Sequence, residues 1–257
     1  MTPVALAIAG SDPSGGAGIQ GDLKTFQAHG VFGATAITAL TVQNTRGVTR
    51  VVAMEAGLVI EQIDAVVSDL GAAATKIGML VNADIVLAVA RALARHRLNN
   101  VVADVVIAAT GGHPLLDEHG VIAFRDHVMP LATVVTPNAH EASVLAGIPV
   151  RTTEDARAAA RRIVDLGARA VIVKGGHIEG PESLDVLFDG RQFVELRAAR
   201  VDTRHTHGTG CAYSSAIAAR LALGDDLITA ARAAKTYVTR AIAAAPGLGH
   251  GHGPLGF

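Results

Sequence analysis

Six short apolar runs constrain this chain more than any other feature. They are "VALAIA", "ATAITALTV", "TKIGM", "VVADVVI", "ATVVT" and "AVIVK". They are continuous rather than alternating, as strands buried on both faces of a parallel sheet must be. Amphipathic segments lie between them. In "NADIVLAVARALARHR", Ile85, Val89 and Leu93 share a face and Arg91 and Arg95 turn elsewhere. In "DDLITAARAAKTYVTRAI", an apolar stripe runs through Leu227, Ala230, Ala231, Ala234, Tyr237, Val238 and Ala241. Strands alternating with helices over short links predict a doubly wound α/β fold with a mostly parallel central sheet. One segment departs from the alternation. "LDVLFDGRQFVELRA" has two strand-like pieces around Asp189-Gly190 and predicts a small β-hairpin. With no linker, repeat or low-complexity segment, residues 1–257 are expected to form a single domain.

Composition removes several function classes. Net charge is −1, with no basic run, and aromatics make up 3% of residues, which argues against nucleic acid as a partner. The chain has one cysteine and hence no intrachain disulfide, so nothing points to secretion. The N-terminal "MTPVALAIAGSD" lacks the basic segment of a signal peptide. The longest uncharged stretch, "VFGATAITALTVQNT", is laced with Thr, Gln and Asn and predicts a buried strand with its loops rather than a membrane span. A cytoplasmic location without membrane attachment is the expectation.

Polar residues follow the apolar runs: "GSDPSGGAGIQGD", "QNT", Asp104, "TPNAHE" and "KGGH". In an open α/β sheet these positions fall at the carboxyl ends of the strands, where ligands bind. A crevice collecting Asp, Asn, Glu, Lys and glycines suits phosphate and Mg²⁺. Strand ends also need turn residues, so each cluster alone has an ordinary explanation; five together favour a site. Gly16-x-Gly18-x-x-Gly21 matches the dinucleotide fingerprint, but it starts late after its strand. The next strand ends in Gln43-Asn44, not in the acid that would hold a ribose. Asp22 lies just inside the following helix, where a negative charge also complements the helix dipole. Gly208-Thr209-Gly210 before a predicted helix would present backbone N–H groups as an anion hole. Cys211, in that first turn, is expected to have a lowered pKa and to accept a proton from a substrate hydroxyl; the plainer alternative is a small buried apolar residue. Lys174 can neutralise phosphate. Asn138 and Glu141 can hold Mg²⁺, and helix capping explains the pair nearly as well. His250 and His252, in "GHGHGP", are read as a glycine-rich loop.

The stretches "IAGSDPSGGAGIQGDLKTF", "TALTVQNTRGV", "KIGML", "TPNAHEASVL", "VKGGH", "HTHGTGC" and "GHGHGP" resemble the bacterial hydroxymethylpyrimidine/phosphomethylpyrimidine kinases of thiamine biosynthesis, in the ribokinase-like superfamily. The resemblance runs from Ile8 to Pro254. It implies ATP- and Mg²⁺-dependent phosphorylation of 4-amino-5-hydroxymethyl-2-methylpyrimidine, and then of the monophosphate to the diphosphate. By motif match it implies that Asp22, Gln43 and Met79 contact the pyrimidine and that Lys174 and Thr206 touch ATP phosphates. Asp104, Asn138 and Glu141 would organise the metal, and Gly208, Thr209 and Gly210 would form the anion hole. Cys211 would take the place of the aspartate base of sugar kinases. A homodimer is the expected assembly.

The sequence departs from the family pattern at Val105, where proline is usual, at Ile107, at Thr110-Gly111-Gly112, and at Ala212-Tyr213. None of these positions carries an assigned catalytic role. The alternatives are a pyridoxal or pyridoxine kinase, a catalytically weak pyrimidine- or nucleotide-binding relative, and a dinucleotide-dependent oxidoreductase, the last disfavoured by the displaced fingerprint.

Overall fold

The computed structural model describes residues 2–109, 112–176 and 182–257. Strand β1 (Val4–Ser11) lies inside the sheet, because its apolar run leaves no exposed face. Leu6 and Ile8 enter one apolar cluster and Ala5 and Ala7 the other, as the alternation of a strand dictates. On one side β1 pairs in parallel with β2 (Phe32–Asn44), on the other with β4 (Ala74–Ile77). The parallel run continues through β5 (Val101–Ala103), β6 (Val134–Val135) and β7 (Val171–Val173). Antiparallel strands close both ends: β3 (Gly47–Ala53) on β2, and the hairpin β8 (Glu182–Phe188) and β9 (Phe193–Ala199) on β7. Among the described residues the order is β3-β2-β1-β4-β5-β6-β7-β8-β9.

The predicted hairpin is present, and Asp189 Oδ1 accepts from the N–H groups of Arg191 and Gln192 to make its turn. The hairpin at the other edge is not evident in the apolar runs. There β2 outruns its parallel partner, and its polar end "QN" pairs with β3 instead of becoming a loop.

Helices α2 (Ala56–Asp69), α3 (Ala83–His96), α4 (Glu118–Ala123), α5 (Ala139–Ala146) and α6 (Thr153–Asp165) lie on one face. The predicted α3 stripe of Ile85, Val89 and Leu93 is buried there. Helices α1 (Gly18–Ala28), α7 (Thr209–Ala222) and α8 (Leu227–Ala243) cover the other face. Ala212, Ala216, Ala218 and Ala219 are all fully buried, so α7 packs largely through methyl groups, with the ring of Tyr213 buried beside them. No helix among the described residues is long and apolar enough to cross a membrane.

Candidate active site

The carboxyl ends of the parallel strands open on a crevice of about 440 Å³. Gln43, Met79, Asp104, Asn138, Glu141, Lys174, Thr206 and Gly208 to Cys211 all line it. Ser11 and Asp12 line it too, so all five strand-end clusters meet in one place, as their pattern predicts.

The entry loop after β1 is organised by Asp12. Its carboxylate accepts from Ser14 N–H and Oγ and from Ala17 N–H, at 2.7–2.9 Å. His207 Nε2 lies 2.8 Å from Asp12 Oδ2 and 3.3 Å from the Gln43 amide nitrogen. Burial opposes the charge on Asp12, but the hydrogen bonds from His207 and Ser14 outweigh it and hold the carboxyl below its ordinary value. The glycine-rich tail backs this corner: His207 N–H donates to Gly253 O at 3.1 Å, and Gly251 N–H reaches Thr45 Oγ1 at 3.3 Å. The "GHGHGP" segment therefore braces His207 and Thr45 from behind, and none of its residues lines the crevice. Its histidines are exposed.

The N-terminus of α7 enters the crevice from the opposite face of the sheet. Gly208 caps it with φ +83°, and a Cβ there would stand 1.9 Å from Gly16 O, so only glycine lets the two loops touch. Intrahelical bonding begins with Ala212 N–H to Gly208 O at 2.8 Å. One expectation changes here. Thr209 turns both its N–H (3.2 Å) and its hydroxyl (2.8 Å) back to Thr206 O. That spends the Thr209 N–H and leaves those of Gly208, Gly210 and Cys211 around the start of the helix for an anion.

The cysteine departs further from expectation. Burial pushes the thiol up to about 11, and the carboxylates of Asp22 and Asp104 add to the effect. Lys76 and the Gly18 N–H pull the other way and do not win. The helix terminus alone suggests a lowered value. That inference neglects desolvation, which local sequence does not reveal.

Lys174 Nζ pairs with Asp104 Oδ1 at 2.7 Å, and Thr136 Oγ1 donates to the same oxygen at 3.0 Å. Burial works against both charges. Lys174, with Lys76, nevertheless holds the Asp104 carboxyl below its usual range. Asn138 and Glu141 form a reciprocal capping box on α5: Glu141 Oε2 accepts Asn138 N–H at 2.7 Å, and Asn138 Oδ1 accepts Glu141 N–H at 2.9 Å. Burial raises the Glu141 carboxyl to about 7 against the pull of Lys174.

For Mg²⁺, the donor set is thin. Asp104 and Glu141 already spend oxygens on Lys174 and on the α5 cap, and among the described residues no three His, Cys, Asp or Glu groups gather around one point. This fits an ion held mostly by water and phosphate oxygens, with one or two carboxylates, as Mg²⁺ commonly is.

Asp22 is the residue the fold does not bring to the crevice. It is fully buried, and its two oxygens each lie 2.9 Å from Lys76 Nζ, with Ser215 Oγ on Oδ1 at 2.7 Å. Lys76 lines the crevice, and the carboxylate behind it does not. Sequence reasoning passes over Lys76, the Asp12–His207 pair and Lys235. Lys235 is buried on α8, 2.8 Å from Asp185 Oδ2 and 3.0 Å from Ser183 Oγ, and all three line the crevice. A signal exists for both lysines: Lys76 interrupts an apolar strand, and Lys235 falls between Ala231 and Val238 on the apolar stripe. Of the departures from the family pattern, Thr110 and Gly111 lie outside the described residues, as does His177 of "KGGH".

The sequence profile of phosphomethylpyrimidine kinases matches residues 12–256. A hydroxymethylpyrimidine/phosphomethylpyrimidine kinase of Synechococcus elongatus is 48% identical over 255 residues, covering 99% of this chain and 97% of its own. The enzyme of the same name from Rhizobium meliloti is 51% identical over 258 residues, with the same coverage. Among solved structures, Bacillus subtilis pyridoxal kinase in complex with ADP superposes with a TM-score of 0.92 at 38% identity, covering 99% of this chain and 97% of that one. A phosphomethylpyrimidine kinase of Clostridium difficile superposes at 0.83 and 37% identity, covering 94% of this chain and all of that one.

Proposed function

The chain belongs to the phosphomethylpyrimidine kinase family, and on that premise we propose that it transfers phosphate from ATP to the hydroxyl of 4-amino-5-hydroxymethyl-2-methylpyrimidine, and then to the monophosphate, in thiamine biosynthesis. The observation that carries this reading is the meeting, in one crevice, of an amide and a thioether suited to a heteroaromatic ring with a lysine and a helix N-terminus suited to phosphate.

Gln43 offers donor and acceptor to the ring edge, and Met79 packs a polarizable face against it. Lys174 leaves Asp104 for the phosphate being transferred, with Thr206 beside it. The N–H groups of Gly210 and Cys211 stabilise charge developing on that phosphate without reorganising. The Cys211 sulfur accepts the proton of the attacking hydroxyl. With a thiol near 11, only its small thiolate fraction is competent at neutral pH. Asp104, Glu141 and Asn138 would hold Mg²⁺ through water; the ion neutralises charge on the ATP phosphates.

A homodimer accompanies this reading. Leu40, Val42 and Val52 are exposed on neighbouring positions of the β2–β3 edge, an apolar strip that a second copy would cover. Sedimentation of Val42→Glu against wild type tests it, and an unchanged dimer would place the contact elsewhere.

The closeness to pyridoxal kinase structures keeps pyridoxal as a second substrate to be measured. The deciding experiment is mass spectrometry of products formed from ATP, Mg²⁺ and the pyrimidine alcohol, with pyridoxal in parallel. Monophosphate followed by diphosphate supports the proposal; product from pyridoxal alone overturns it. For the base, Cys211→Ser is expected to lower turnover by roughly 10²–10⁴ with ATP affinity little changed.

A further inference from the structure

Lys76 is a crevice group that the chemistry above leaves without a task. It sits on β4, fully enclosed by protein, yet it lines the crevice together with Cys211. Its ammonium is 2.9 Å from each oxygen of Asp22. Ser215 holds Asp22 Oδ1 at 2.7 Å and stands four residues after Cys211, on the same side of α7 one turn along. The serine thus ties the ion pair to the helix that carries the thiol. Gly78 keeps the space open: a Cβ there would come within 2.8 Å of Lys76 Nζ.

A buried ion pair is a weak device for stability, since well-packed apolar residues of similar volume serve as well. Its position gives it another use. We infer that Lys76, fixed by Asp22 and Ser215, is a positioning charge that sets how readily Cys211 gives up its proton. This rests on the reading of Cys211 as the proton acceptor. Among the described residues, charges act on the thiol from Lys76 on β4, Asp22 on α1, Asp104 at the end of β5 and Lys174 at the end of β7. The lysines favour the thiolate and the carboxylates oppose it. Of the enclosed pair, the lysine lines the crevice with Cys211 and the carboxylate does not. Burial opposes the charge on Lys76 itself, but Asp22, Cys211 and Asp104 together hold it above its ordinary value.

The test uses the single cysteine of the chain, so that iodoacetamide consumed at that thiol reports Cys211 alone. Alkylation rates at about pH 8 are compared for wild type, Lys76→Met, Asp22→Asn and the double variant, with folding checked by circular dichroism. An opposite charge nearby moves a pKa by about one unit or more, and thiolate content follows about tenfold per unit. Lys76→Met should therefore alkylate about tenfold slower than wild type, and Asp22→Asn faster. Loosened packing would speed both, so slowing in Lys76→Met is a signature that a structural role cannot give. A Lys76→Met rate equal to or above wild type overturns the inference. Should that variant not fold, the double variant decides, because it keeps a neutral side chain of similar shape at each position. It should be slower than wild type, and an equal or faster rate overturns the proposal. Turnover is measured separately. A Cys211→Ser enzyme as fast as wild type would sink the base assignment, while the alkylation rates would still decide what Lys76 does to the thiol.

Discussion

Lys76–Asp22 and Lys174–Asp104 are the same chemical pair set in two different places. In the first, both side chains are completely enclosed; in the second, Lys174 is 15% exposed and reaches the crevice. The first lysine has both oxygens of one carboxylate. The second shares one oxygen of Asp104 with Thr136. An enclosed pair has no water to replace a lost partner, so it holds its geometry. An open pair can exchange its partner for a ligand. The same residue types therefore give a fixed charge in one place and a movable one in the other.

The largest expected effect tests the enclosed pair. Lys76→Met leaves Asp22 buried and unpaired, which costs about 3–5 kcal/mol of stability. Lys76→Met combined with Asp22→Asn should regain most of that. Urea denaturation measures both, and a single variant as stable as the double one would mean that the pair is not enclosed in solution. Next comes the open pair. Lys174→Met should cost roughly 10²–10³ in kcat/KM for phosphoryl transfer, the range for one lost donor to developing charge, with a smaller loss of stability than Lys76→Met. Equal losses of stability would erase the contrast. A residue of the crevice outside both pairs sharpens it: Gln43→Ala should raise KM for the pyrimidine by about tenfold to a hundredfold, about 1–3 kcal/mol, and leave KM for ATP alone. The smallest effect is continuous. A base must be deprotonated to act, and the thiol titrates at about 11, so thiolate content grows about tenfold per pH unit below that value. kcat/KM should rise with pH from about 7 to about 9 with a slope near one. A plateau beginning near pH 7 would show that the competent base titrates far below the free thiol.

The sheet was legible in the sequence because burial on both faces leaves an unmistakable run of apolar residues. It was legible too at strand ends, where Asp104, Asn138 and Lys174 interrupt or follow those runs. The β2–β3 hairpin was not, because β3 carries Thr49 and Arg50 amid its valines and reads as loop. Lys76 and Lys235 escaped for a different reason. Each is defined by a partner far along the chain, 54 residues away for Asp22 and 50 for Asp185, and no local pattern encodes such a meeting. Asp22 was legible as a residue worth noticing, but not as one turned away from the crevice. The thiol shows the limit most plainly. Its helix position reads as activation, while the burial that outweighs it belongs to the tertiary structure.

The bond between His207 and Asp12 joins residues 195 positions apart. Contacts this distant are the slow ones in folding, because chain entropy is lost before any contact rewards it. Local helices are expected to form before the central parallel strands assemble. The corner that holds Gln43 closes only when nearly the whole chain has been gathered. Refolding followed by helix content should therefore finish ahead of refolding followed by ATP consumption, and a molecule lacking only that last closure would be inert rather than slow.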